Sequence, residues 1–354
     1  MENKNLQRNS SIELLRIIAM IGVLILHYNL LGKAFNYVIS GSYQEKYIFL
    51  SETVFVCAVN LFVMISAYFL ATTEKRKFVK VVELLGQVIV FKAAFYIANI
   101  LQGHSTLSFS GIFKSVLPDN YFVIFYCIVY IVSPYINIMI KDISKKDFKK
   151  LVIILFFLFS VWNMVVGILE NMFGRLNGLN TVGLWGDQGG YTIVNFILVY
   201  FIGAYIRLNN ISVSKTKSIA CILVGIALIY FEKIIGNAVY SSSKAWDYNN
   251  PIVILLPVFI ILFFNKLNFS SKIINELAKA AFTCYLFHGY FMSKLGVEKF
   301  VNGNIFMLIL HQFGCAIAIY LASYIVYKIY NTLTRPIIKR ITPICNRVDI
   351  SIKP

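Results

Sequence analysis

Residues 12–28, IELLRIIAMIGVLILHY, decide the fold of this chain. The stretch approaches the roughly 20 apolar residues that a helix needs to cross a bilayer, yet it contains Arg16 and His27. Eleven helical steps of about 100° return to within about 20° of the same face, with a rise of about 16 Å. One face of one helix therefore carries a cation near the membrane surface and an imidazole near the bilayer middle. Ionisable residues inside a membrane helix are functional-site candidates by default.

The composition of the chain is typical of an integral membrane protein. Its 354 residues are 58% hydrophobic and 14% charged, whereas soluble globular chains average about 45–50% and about 25%. Apolar stretches near spanning length occur at 12–32, 50–71, 82–102, 121–140, 151–169, 191–208, 217–235, 251–265, 275–295 and 305–330. We therefore predict an all-α polytopic membrane bundle of about ten transmembrane helices. The eighth stretch is short and the ninth is the most polar, so either could be tilted or re-entrant.

The distribution of charge predicts the topology of this bundle. The net charge is +17, and most of the 33 Lys and Arg residues fall at the N-terminus and in every second loop. By the positive-inside rule both termini are then cytoplasmic, and a nucleic-acid partner is not expected. We predict a single domain over residues 1–354, with a helical core at about 12–330 and a basic cytoplasmic tail at 331–354.

Nothing in the sequence indicates a metal site. The six cysteines form no CxxC motif and no Cys/His cluster, and five of them lie in apolar stretches. They are predicted to be small buried side chains, so no metal cofactor is expected.

The polar residues of the first helix have two interpretations. Glu13 lies three positions before Arg16, so the two side chains can pair on one face. A snorkelling arginine tied to a neighbouring carboxylate at a helix end would look the same. His27 is too deep to snorkel, although it could serve only as a hydrogen bond between helices.

Two further apolar segments contain secondary site candidates. Segment 60–70, NLFVMISAYFL, contains Ser66, which close helix packing alone would also explain. Segment 280–290, AAFTCYLFHGY, places Tyr285 and His288 in the ninth stretch. A second intramembrane histidine strengthens the prediction of a buried polar site, because each histidine needs a partner.

Taken in order, these segments resemble the acyltransferase-3 family of multi-spanning membrane acyltransferases over nearly the whole chain. IELLRIIAMIGVLILHY is similar to the family's first helix, with Arg, ten residues and then His. VNLFVMISAYFL resembles the second-helix block, and YFVIFYCIVYIVSPYI resembles the fourth. GGYTIVNFILVYFIGAYIR resembles the sixth, and AAFTCYLFHGY resembles the late block Ser-x-x-x-Tyr-Leu-x-His.

The chain departs from the family pattern in the second-helix block and in the loop after it. Asn60 stands where an Asp is common, and Ala67 replaces the Gly after the serine. The usual Arg-x-x-Arg is degenerate, since Lys77 and Lys80 have that spacing as lysines, and lysine is a point charge where arginine forms a fork. These variations resemble the branch found with surface-polysaccharide clusters of Gram-positive bacteria.

The resemblance implies an integral membrane O-acyltransferase in a bacterial plasma membrane. Its expected donor is cytoplasmic acetyl-CoA, and its expected acceptor is a hydroxyl of a cell-surface polysaccharide or lipid-linked sugar. Membrane lipids and polysaccharide-assembly proteins are candidate partners. Because CoA is anionic, Arg16, Lys77 and Lys80 at the basic face are expected to bind its phosphates.

The sequence leaves two roles open for a buried neutral imidazole at the reaction centre. His27 would act as a general base on a sugar hydroxyl or carry the acyl group transiently as a nucleophile, and Arg16 belongs to the same catalytic pair. The secondary candidates Ser66, Tyr285 and His288 would orient the acceptor or stabilise an oxyanion.

Two other functions compete with this interpretation. A transporter or flippase of a lipid-linked sugar or small solute could line its pathway with the same polar face, but the inverted repeats typical of such proteins are not visible in the sequence. A family member that has lost catalysis could serve as a polysaccharide-assembly partner. The intact pair of Arg16 and His27 argues against that alternative.

Overall fold

The computed structural model describes residues 9–176, 178–239 and 242–351, and nearly all of their regular structure is helical. The helices are α1 (Ser11–Leu30), α2 (Ala34–Tyr37), α3 (Tyr43–Phe55), α4 (Ala58–Leu70), α5 (Phe78–Leu101), α6 (Phe109–Val116), α7 (Tyr121–Asp142), α8 (Lys145–Phe156), α9 (Trp162–Phe173), α10 (Ile193–Leu208), α11 (Lys215–Val239), α12 (Pro251–Phe264), α13 (Lys272–Leu277), α14 (Ala281–Phe287), α15 (Gly289–Met292) and α16 (Ile305–Cys345). A π-helical turn (Phe157–Val161) joins α8 to α9. Two short strands, β1 (Lys75–Arg76) and β2 (Ile350–Ser351), pair antiparallel.

Eight helical segments of the described chain are long and apolar enough to cross a membrane. They are Ser11–Tyr37, Tyr43–Leu70, Phe78–Leu101, Phe109–Asp142, Lys145–Phe173, Lys215–Ile235, Lys244–Phe264 and Ile305–Val348. Helix α10 is also apolar, but its 16 residues make it shorter than these eight segments. The predicted all-α polytopic bundle is thereby confirmed.

The predicted ninth stretch is divided into several short helices. Its residues form α13, a 3₁₀ turn at Ala278–Ala280, α14 and α15. His288 lies at the junction of α14 and α15. This segmented stretch packs against α1 and α16, and its residues Thr283 and His288 are buried inside the protein.

Helix α1 is central to the bundle, and most of its residues are buried. It contacts α3, α4, α14 and α16. These neighbours surround the face that carries Arg16 and His27, which therefore faces protein.

The cation-rich segments meet at one end of the bundle, which we call the basic end. The amide of Ser10 donates to the carbonyl of Phe269 at 2.9 Å, which joins the N-terminus to the α12–α13 loop. Lys141 at the end of α7 contacts Glu74 in the α4–α5 loop, and this hydrogen bond lowers the pKa of the Glu74 carboxyl. Strand β2 brings the C-terminal segment to the same loop. Both described ends of the chain thus lie at the basic end, and their cytoplasmic location stays a prediction.

Arg76 anchors the α4–α5 loop within the basic end. Its side chain is only 2% exposed, and its Nε donates to Ser133 Oγ on α7 at 2.8 Å. Its terminal nitrogens donate to the carbonyl oxygens of Leu70, Thr73 and Lys75 at 2.9–3.1 Å. A buried charge is tolerated when its hydrogen bonds are satisfied, so this loop cation is structural.

Helix α16 continues well past residue 330, the predicted end of the helical core. It runs for 41 residues to Cys345, and β2 follows after one 3₁₀ turn. The amide of Phe78 donates to Asp349 Oδ1 at 2.8 Å. The segment that sequence predicts as a basic tail is therefore mainly helix, and it is tied to the start of α5.

Candidate active site

A cavity of about 330 Å³ lies between α1, α4, α5, α7 and the segmented stretch α13–α15. On α1 it is lined by Arg16, Met20 and Val23, which follow one helix face in steps of four and three. The other polar side chains of its wall are Ser66, Lys80, Tyr126, Lys279 and Tyr285. The cavity therefore begins at the basic end and follows the polar face of α1 inward.

Arg16 lies in the outer part of this cavity and is held by Glu13. Its Nη1 donates to both carboxylate oxygens, at 3.1 and 3.2 Å, and its guanidinium carbon lies 5.5 Å from the centre of the Phe69 ring. The Arg16 side chain is 29% exposed, whereas that of Glu13 is 5% exposed. The predicted pair thus fixes a partly accessible guanidinium.

His27 lies one helical turn beyond Val23, outside the cavity lining itself, and contacts His288. His27 Nδ1 meets His288 Nε2 in a hydrogen bond. The two ring planes are nearly parallel, inclined by 10°, and the ring centroids are 4.6 Å apart. The partner that an intramembrane histidine requires is therefore the second histidine, 261 residues away in the chain.

The backbone assigns the tautomers of this histidine pair. His288 Nδ1 lies 3.0 Å from the carbonyl oxygen of Cys284, and a carbonyl can only accept. Nδ1 of His288 therefore carries a proton, and Nε2 of the neutral ring accepts from His27 Nδ1. His27 Nε2 is left with a lone pair, which is what a general base or a nucleophile requires.

Tyr285 connects the cavity to the histidine pair. It lines the cavity wall, and its ring centroid is 5.9 Å from that of His288. Its hydroxyl donates to Asn120 Oδ1 at the start of α7 at 3.0 Å. The phenol at the cavity wall is therefore in direct ring contact with the imidazole pair behind it.

The structure separates the two predicted phosphate-binding lysines. Lys80 lines the cavity, with its ammonium 3.8 Å from Glu83. Lys77 precedes α5, where its amide donates to Tyr130 Oη at 3.2 Å, and its side chain does not line the cavity. Lys279 lines the cavity as well, although the sequence alone did not single it out. The only sequence signal for it is its location just before the segment that contains Tyr285.

A second polar cluster, at the end of the bundle opposite to the basic end, is closed. Asn249 donates to Asp187 Oδ2 at 2.7 Å, and Lys244 lies 3.5 Å from carboxylate oxygens of both Asp187 and Asp247. The space enclosed there is about 10 Å³, which is about enough for one water. The cluster therefore joins two loops and leaves no room for a substrate.

Comparison with known proteins identifies the domain to which these residues belong. Residues 9–328 match the acyltransferase-3 family model, which is described as an acyltransferase domain. The match includes α1, the cavity and the histidine pair. No curated protein and no solved structure matches the chain.

Proposed function

Because the chain belongs to the acyltransferase-3 family, we propose that this multi-pass membrane acyltransferase is an O-acetyltransferase of a bacterial plasma membrane. It transfers an acetyl group from cytoplasmic acetyl-CoA to a hydroxyl of a cell-surface polysaccharide or lipid-linked sugar. One observation carries the proposal. His27 contacts His288 one helical turn beyond the inner end of a cavity, and Arg16 lines the outer part of the same cavity.

The charge of the cavity supports the choice of donor. CoA carries a pyrophosphate and a further phosphate, and Arg16, Lys80 and Lys279 supply three cations at the basic end. Arginine and lysine are the side chains that bind phosphate by charge-assisted hydrogen bonds. The acyl arm then follows the α1 face past Met20 and Val23 toward His27.

His27 acts in this proposal as the general base. Its Nε2 takes the proton of the acceptor hydroxyl, and the acceptor oxygen attacks the carbonyl carbon of the thioester. A C–O bond forms and the C–S bond breaks, after which the CoA thiolate takes the proton from His27. His288 accepts from His27 Nδ1 throughout, so it orients the ring and stabilises the imidazolium.

Two further residues have supporting roles in the proposed reaction. The hydroxyl of Tyr285 lies at the cavity wall and donates to Asn120 Oδ1 in this structure. Rotated away from Asn120, it is suited to donate to the oxyanion that forms as the thioester is attacked. Ser66, which α4 contributes to the cavity wall, is suited to orient the acceptor hydroxyl.

Removal of the base tests the proposal. The His27→Ala variant of the purified protein is expected to transfer acetyl from labelled acetyl-CoA about 10²–10⁴-fold more slowly than the parent. Arg16→Ala is expected to raise the KM for acetyl-CoA. His104→Ala, an exposed histidine of the α5–α6 loop, is the matched control and should retain full activity.

The result that contradicts the proposal is full activity in a folded His27→Ala variant. Substrate movement across the membrane without acetyl-CoA would instead favour the transporter. Covalent label on the parent but not on His27→Ala, in the absence of acceptor, would identify His27 as an acyl carrier. NMR of the surface polysaccharide, with and without the protein, tests the acceptor by the loss of an O-acetyl resonance.

A further inference from the structure

A second cavity adjoins the active-site cavity at the basic end, and we call it the α5/α16 groove. Its volume is about 490 Å³, and it lies between the first turns of α5, the segmented stretch and the late part of α16. Lys80, Leu84, Lys279 and Phe282 line both cavities. The two spaces therefore adjoin along these four side chains.

The late part of α16 supplies one wall of this groove. The wall includes Tyr327, Tyr330, Thr334, Arg335 and Lys339. Tyr327, Tyr330 and Thr334 follow one another in helical steps of three and four. Arg335 comes directly after Thr334, and Lys339 follows Arg335 by four, so all five positions lie on one side of the helix. That side of α16 faces the first turns of α5 across the groove.

The groove has an excess of positive charge, because Lys80, Lys279, Arg335 and Lys339 all line it. Lys80 lies 3.8 Å from Glu83, and Lys279 contacts Glu276, so Arg335 and Lys339 supply the excess. Within the described part of the chain, Arg335 and Lys339 have no carboxylate oxygen within 4.0 Å. Two exposed, unpaired cations on the face that lines a cavity are suited to bind an anion.

The groove is also held in one geometry by the end of the chain. Antiparallel pairing of β1 with β2 joins Lys75 to Ser351, and Asp349 accepts the amide of Phe78. These contacts fix the C-terminal end of α16 against the first residue of α5. A site whose walls are already in place loses less free energy on binding.

We infer that the α5/α16 groove binds the phosphorylated nucleotide half of the acyl-CoA donor, an inference that rests on the proposed function. Arg335 and Lys339 contact the phosphates, and Lys80 lies where the ligand passes from the groove into the active-site cavity. Tyr327 and Tyr330 offer aromatic rings to the base, since aromatic side chains stack on bases of any identity. Arg335 and Lys339 lie beyond residue 328, where the family match ends.

Charge-removal variants of the full chain in nanodiscs test this assignment. The Arg335→Gln/Lys339→Gln double variant is expected to raise the KM for acetyl-CoA about 10- to 100-fold. Each lost charge-assisted contact is expected to weaken binding about 3- to 10-fold, and the two factors multiply. Its kcat should not change, and neither should its KM for S-acetylpantetheine, which lacks the nucleotide. Adenosine 3′,5′-bisphosphate should compete with acetyl-CoA, and its inhibition constant should rise by the same factor in the double variant.

Arg340→Gln is the matched control for this experiment. Arg340 is exposed on the same helix, about 140° around the axis from Arg335 and about 100° from Lys339. It should leave all of these constants unchanged. Two results overturn the inference and leave the proposed function standing. One is an equal rise in KM in Arg340→Gln. The other is an unchanged KM in the double variant when the parent uses acetyl-CoA.

Other outcomes identify a different ligand or a different function. If the double variant differs from the parent only in nanodiscs that contain phosphatidylglycerol, and not in phosphatidylcholine alone, the groove binds the phosphate of a lipid headgroup and the inference is overturned. If the parent neither uses acetyl-CoA nor responds to adenosine 3′,5′-bisphosphate, the proposed donor is wrong and the inference falls with it.

Discussion

His288 determines which nitrogen of His27 is free to react. Its Nδ1 is occupied by the carbonyl of Cys284, and its Nε2 accepts from His27. It is thus a positioning residue, because it acts through His27. The sequence marks His288 as polar and deep, but does not show that the two imidazoles meet.

Replacement of His288 tests this role. His288→Ala leaves His27 Nδ1 without its acceptor, so we expect kcat to fall about 10²-fold, within the range of general-base effects, while the KM for acetyl-CoA stays the same. His288→Gln keeps an acceptor oxygen and should recover part of the loss. An unchanged kcat in a folded His288→Ala variant would exclude the positioning role.

At the scale of elements, the bundle depends on the close approach of α4 and α10. A Cβ at Gly203 would lie 2.7 Å from Ala67 Cβ and 2.9 Å from the carbonyl oxygen of Met64. In the same pair of helices, Asn195 donates to Asn60 Oδ1 at 3.1 Å. Small residues permit this approach, and amides bond across it. The residues at which the second-helix block departs from its family pattern, Asn60 and Ala67, therefore have packing contacts.

Substitution of two glycines separates packing from helix propensity. Gly203→Ala is expected to lower the free energy of unfolding by about 1–3 kcal/mol through overpacking. Gly86→Ala, in α5, meets no atom within 4 Å and should be neutral or slightly stabilising, since alanine is the better helix former. Thermal unfolding in detergent measures both, and equal melting temperatures for the two variants would refute the close approach.

At the scale of the whole molecule, the basic end collects segments from along the entire chain. The segments that meet there are the start of α1, the α4–α5, α7–α8 and α12–α13 loops, and strand β2. Both cavities lie near this end, with Lys80 and Lys279 shared between them. The positive-inside rule predicts that such an end lies in the cytoplasm, which is the side that the proposed acyl-CoA donor requires.

Cysteine labelling measures this orientation. Lys149→Cys, in α8 near the basic end, should react with an impermeant maleimide only in inverted vesicles. Leu107→Cys, in the exposed loop after α5 at the other end, should react only in intact cells. The parent chain gives the background of its six cysteines, and the reverse pattern would place the basic end outside.

The sequence by itself determined the all-α bundle and the shared face of Arg16 and His27. Hydropathy over about 20 residues and the 3.6-residue period are local properties, which any window of the chain displays. Only the tertiary structure decided that His27 pairs with His288, that Lys80 and not Lys77 faces the cavity, and that Arg335 and Lys339 lie across a groove from α5. Those contacts depend on how helices distant in the chain pack and where each one breaks. No single stretch of residues contains that information.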